Sequence, residues 1–118
     1  MTKNKMILLN HQPELDEYND LNEIDLDLCY QNKSGIITDT CNIHLEKDLK
    51  ICKVILPKTI NNKKLIDLIK NYIFDNLGME EIIVSTEDDT ISEELFNSGF
   101  ESLGQDNNLL HFIIDKIN

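Results

Sequence analysis

The 118-residue sequence predicts a single α+β domain, a mixed and mostly antiparallel central sheet flanked by two or three helices. Three observations predict it. Between Ile24 and Leu56, three short apolar segments are separated by turn residues, which is the pattern of an antiparallel meander. Residues 65–77 carry apolar side chains at helical spacing and stand between two β-branched segments, the order of a strand–helix–strand crossover. No linker, repeat or low-complexity stretch divides the chain, so residues 1–118 read as one domain.

Lys5 to Asn10 is a short apolar strand. Pro13 with acids behind it suits a helix start, and residues 14–21 read equally as short helix or loop. From Ile24 to Tyr30 the pattern alternates, with Ile24, Leu26 and Leu28 on one face and Asp25, Asp27 and Cys29 on the other. Asn32-Lys33-Ser34-Gly35 is turn chemistry. The strand from Ile36 sets Cys41, Ile43 and Leu45 against Asn42, His44 and Glu46. Lys47-Asp48 turns the chain again. Leu49 to Leu56 is nearly all apolar towards its end, as expected of a central strand covered on both faces.

Pro57 ends that strand. Leu65, Ile66, Leu68, Ile69, Tyr72, Ile73 and Leu77 then share a helix face, and Gly78 suits the C′ position. Glu81 to Thr86 is a strand. Thr90-Ile91-Ser92-Glu93 fits a capping box for a short helix, with Leu95 and Phe96 facing inward and Gly99 at its end. Gly104 to Asn108 reads as a polar turn, and Leu109 to Ile114 as the last strand.

Asp and Glu number 22 against 11 Lys, with no Arg, for a net charge of −11. That balance disfavours nucleic acid and anionic membranes and admits a basic protein or a cationic small molecule. No apolar run approaches a membrane span, and Met6 to Leu9 is too short for a signal peptide, so a cytoplasmic protein is expected. The absence of Ala, with abundant Ile, Asn and Lys, is the accent of an A/T-rich genome. Cys29, Cys41 and Cys52 have no C-x-x-C spacing and fall in strands, which suits buried reduced thiols. His11, His44 and His111 share no zinc-ligand spacing, so no metal is expected.

From Leu49 to Ile114 the chain resembles the GNAT superfamily of N-acetyltransferases. The likeness lies in the order of a central strand ending Val54-Ile55-Leu56-Pro57, the helix Leu65 to Leu77, the strand Glu81 to Thr86, and a short helix ending Asn97-Ser98-Gly99-Phe100. It implies a GNAT-like fold and acetyl-CoA as cofactor. It places the cofactor along Val54 and Ile55 and on the turn holding Asn61, Asn62, Lys63 and Lys64. Family members use small residues in that turn so that backbone N–H groups reach the pyrophosphate at the helix N-terminus. Here the turn has no glycine, and Lys63 and Leu65 stand where glycines belong, with Lys58, Lys63 and Lys64 supplying charge. Two lost charge-assisted contacts of roughly 1.5–3 kcal/mol each would weaken binding by about two to four orders of magnitude.

The resemblance also places a thiolate-protonating tyrosine four residues before the Gly of Gly-Phe, and that position is Leu95. Tyr72 is on the other helix, as core or rim. Glu46, Asp27 and Asp25 are base candidates by location, and no catalytic residue is assigned. The expected function is therefore a degenerate GNAT-fold binding module, non-catalytic or weakly active. One alternative is an acetyl-CoA-dependent N-acetyltransferase for a cationic amine or lysine. Another is an acidic inhibitor or nucleic-acid mimic that binds a basic partner. A small sheet protein with an open edge also admits a homodimer.

Overall fold

A computed structural model describes residues 5–10, 22–31, 33–56 and 65–116. The strands are β1 (Lys5–Asn10), β2 (Glu23–Gln31), β3 (Ile37–Glu46), β4 (Ile51–Ile55), β5 (Glu81–Thr86), β6 (Glu101–Asp106) and β7 (Leu109–Asp115). The helices are α1 (Leu65–Asp75) and α2 (Ser92–Asn97), the latter entered through a 3₁₀ turn at Asp89–Ile91. The predicted helix or loop after Pro13 lies outside the described residues, as does Pro57.

One seven-stranded sheet forms in the order β1-β2-β3-β4-β5-β7-β6. The first four strands are an antiparallel meander. β4 and β5 pair in parallel across α1, and β7 closes antiparallel on β5. Mixed pairing, with two helices among the described residues, is the α+β architecture that the sequence predicts.

Register explains the core. Ile24, Leu45, Cys52, Ile82 and Ile114 line up across five strands on one face, and Leu26, Ile43, Val54, Val84 and Phe112 form the next row. All ten are buried, together with Ile66, Ile69, Ile73 and Phe74 of α1 and Leu95 of α2. Gly78 ends α1 with φ at +71°, which lets the Met79 N–H reach the Ile73 carbonyl at 3.3 Å. Among the described residues, no helix is long and apolar enough to cross a membrane.

Five expectations need correction. β4 is covered on one face rather than both: Cys52 and Val54 are buried, whereas Lys53 and Ile55 are exposed. It also starts at Ile51, because Lys50 takes a left-handed turn conformation (φ +56°). The N-cap before α2 is Asp88, whose carboxylate accepts from the Thr90 N–H at 3.0 Å and the Thr90 hydroxyl at 2.6 Å. Phe96 and Leu68 point outward, Phe96 being 52% exposed with its ring edge-on to Phe112. The stretch read as a turn, Gly104 to Asn108, holds the end of a strand the sequence reading did not place, β6, joined to β7 by Asn107 and Asn108 with φ at +49° and +70°, the signature of a two-residue hairpin loop.

Candidate functional site

The parallel pair β4–β5 is where the sequence places a cofactor. Val54 and Ile55 lie on opposite faces there. Val54 is buried beneath the helices, whereas Ile55 is 56% exposed on the open face. Asn61, Asn62, Lys63 and Lys64, with Lys58, lie outside the described residues. The two strands are in register from Ile51↔Glu81 to Ile55↔Ser85. One further rung follows, the Leu56 N–H donating to the Ser85 carbonyl at 3.0 Å. The seam is therefore hydrogen-bonded through Leu56.

Behind it, Leu56, Val84, Ile66, Ile69, Leu95 and Phe100 enclose a void of about 10 Å³. A space of that size admits about one water. A pantetheine arm does not fit between these side chains. Leu95, which the resemblance sets at the acid position, is 0% exposed and carries no hydroxyl. Tyr72 is half-buried against the core, and this burial pushes its hydroxyl pKa up.

The opposite face is polar, and register sorts its side chains into rows. Asp27, Asn42, Ile55, Ser85 and His111 form one row across five strands. His111 Nδ1 is 2.7 Å from the Ser85 hydroxyl, close enough for the pair to share a proton. The next row is Asp25, His44, Lys53, Ile83 and Ile113. The third is Glu23, Glu46, Ile51, Glu81 and Asp115, four carboxylates in five positions. Leu49, Ile51, Glu80, Glu81 and Asp115 line a cleft of about 350 Å³ at the end of the strands away from Leu56. Burial, reinforced by the Asp115 carboxyl beside it, raises the Glu81 pKa.

The base candidates do not converge on the seam. Asp25 is bonded to His44 (2.7 Å), and Glu46 to Lys53 (3.3 Å). Asp27 shares the row of Ser85 but stands three strands away, about 14 Å at the usual strand spacing. The sequence reading missed the Ser85–His111 pair. Both residues break apolar strands on the polar phase, but only the order β5-β7 puts them side by side.

No protein-family model and no curated protein sequence matches the chain. Solved structures do. The N-terminal domain of ribosomal-protein-alanine acetyltransferase from Clostridium acetobutylicum superposes with a TM-score of 0.58 at 16% identity, over 76% of this chain and 82% of that one. The N-acetyltransferase PseH from Campylobacter jejuni gives 0.63 at 11% identity, over 86% and 73%, and is also known in complex with acetyl coenzyme A. Dodecameric spermidine N-acetyltransferase from Vibrio cholerae gives 0.61 at 13% identity, over 86% and 69%. The chain has the GNAT fold. At these identities the likeness is one of architecture.

Proposed function

We propose that this chain is a GNAT-fold binding module that has given up acetyl transfer and uses its open, acidic sheet face to hold a basic protein or a cationic small molecule. The observation that carries the reading is the closed β4–β5 seam, with the Leu56–Ser85 rung in front and apolar side chains behind. A cofactor arm would need bare backbone donors there, and the Leu56 N–H is already satisfied. The carboxylate row Glu23, Glu46, Glu81 and Asp115 supports the cationic partner, since such a row raises the local concentration of cations. Titration calorimetry with acetyl-CoA is the test. No saturable heat at millimolar cofactor is expected, and tight saturable binding overturns the proposal.

A second reading, acetyl-CoA-dependent transfer to a cationic amine, draws support from the Ser85–His111 pair, which offers a proton acceptor beside the seam. Thiol release from acetyl-CoA across a panel of polyamines and basic peptides tests it, and a flat response removes it. Either reading is compatible with a homodimer. β6 is an edge strand exposed along its whole length, and Leu103 on it is 54% exposed. Sedimentation velocity measures the state directly.

A further inference from the structure

β2 and β3 bring four ionisable side chains together on the open face. Glu23 stands directly opposite Glu46, and Asp25 directly opposite His44. Strand alternation sends all four to the same side. His44 Nδ1 is 2.7 Å from Asp25 Oδ1, and His44 Nε2 is 3.3 Å from Glu23 Oε1. One donor atom each from Glu23, His44 and Glu46 lies within 4.8 Å of the others.

We propose that Glu23, His44 and Glu46 form a binding site for a divalent transition-metal cation of the zinc class, with Asp25 as the positioning residue for the imidazole. The donor set argues for this class. An imidazole nitrogen with two carboxylate oxygens suits zinc and its neighbours, whereas calcium and magnesium favour all-oxygen shells. Tetrahedral bonds of ~2.1 Å put donor atoms about 3.4 Å apart, and the His44–Glu23 separation of 3.3 Å is close to that. Asp25 accepts the Nδ1 proton at 2.7 Å and so holds the ring in place, while Nε2 donates to Glu23 Oε1 at 3.3 Å; a metal bound here takes the place of that Nε2 proton.

Charge argues for a cation as well. Glu23 and Glu46 are like charges directly across a ladder, an arrangement that destabilises a bare sheet. In this structure the pair is offset by His44, 3.3 Å from Glu23 Oε1, and by Lys53 on β4, 3.3 Å from Glu46 Oε1. The Lys53 side chain is half-exposed, so it can swing into solvent when a metal takes the carboxylate. Three protein ligands leave a fourth position for water or a ligand group. The site stands apart from the β4–β5 seam and does not depend on whether acetyl-CoA binds.

The test uses the full chain, stripped with chelator and titrated with Zn²⁺ alone by calorimetry. One saturable site in the micromolar range is expected. His44→Gln and Glu23→Gln should each abolish saturation, and Asp25→Asn should weaken binding by about 10–100-fold. In the unsubstituted chain, the His44 ring signals in the imidazole nitrogen NMR spectrum should shift on Zn²⁺ addition, a readout independent of how the variants fold. No saturable binding up to ~1 mM Zn²⁺ (about 4 kcal/mol of affinity or less) overturns the proposal. Affinity unchanged in His44→Gln, or His44 signals that do not move, overturns it too.

Discussion

The backbone N–H of Leu56 donates to the carbonyl of Ser85 at 3.0 Å, extending the β4–β5 ladder one residue beyond the Ile55↔Ser85 pair. That rung sits in front of Leu95, which is 0% exposed among Leu56, Ile66, Ile69, Val84 and Phe100. Seam and plug support one another, because strands held at ladder spacing leave the helix side chains no opening to line.

Leu95 tests the plug. Leu95→Ala deletes fully buried methyl groups and should cost about 2–5 kcal/mol in urea denaturation. Leu95→Tyr restores the hydroxyl of the family's acid position but must bury it in apolar surroundings. It should destabilise by roughly 1–3 kcal/mol and release no thiol from acetyl-CoA. Thiol release by Leu95→Tyr would show that the seam admits cofactor.

Glu81 faces Asp115 across β5–β7, and its raised pKa is due first to burial and then to the Asp115 carboxyl. An acid whose pKa is raised on folding is stabilising in its protonated form. That contribution is complete below the ordinary glutamate value of 4.5 and is lost as pH climbs through the raised folded value. At neutral pH the two carboxylates repel. Glu81→Gln should therefore be more stable than the parent at pH 7 by ~0.2–1 kcal/mol, the range for exposed cross-strand charges. Towards pH 4 the two midpoints should converge. A variant less stable than the parent at pH 7 contradicts the assignment.

Most of the sheet was legible because burial leaves period-two marks. Leu26, Ile43, Val54, Val84 and Phe112 are each the apolar phase of their strand, and the crossover order fixed the parallel pair. β6 left no such mark, since none of Glu101–Asp106 is buried and edge pairing needs only backbone. Phe96 misled because an apolar residue beside a buried one need not be buried itself. The candidate sites were less legible still. Ser85 and His111 are 26 residues apart, and Glu23 and His44 are 21 apart. Their meeting depends on strand order and register, which residue type does not encode.

The entry to α2 separates two capping schemes. The capping box would rest on Thr90 and Glu93, whereas the structure rests on Asp88, which accepts both the backbone and hydroxyl protons of Thr90. Asp88→Ala should cost about 0.5–2 kcal/mol by chemical denaturation. Glu93→Ala, at an exposed position, should stay within ~0.5 kcal/mol of the parent. The reverse ranking would restore the capping box.

Cys29, Cys41 and Cys52 are all buried and free. Burial, with Cys29, Asp27 and Asp39 nearby, pushes the Cys41 thiol up to about 12, and burial with Cys41 beside it pushes Cys52 higher still. Thiolate is the reactive form, and at pH 8 a group titrating near 12 holds about one part in ten thousand of it. A thiol reagent should therefore label the native chain only through opening of the sheet, and all three cysteines at once after denaturation. Urea at concentrations below the unfolding midpoint should speed labelling of Cys41 and Cys52, which lie in the central strands β3 and β4, in step with global unfolding. Rapid labelling of Cys52 in native buffer would mean that β4 detaches from β5 without the rest of the sheet, and that the seam at Leu56 opens on its own.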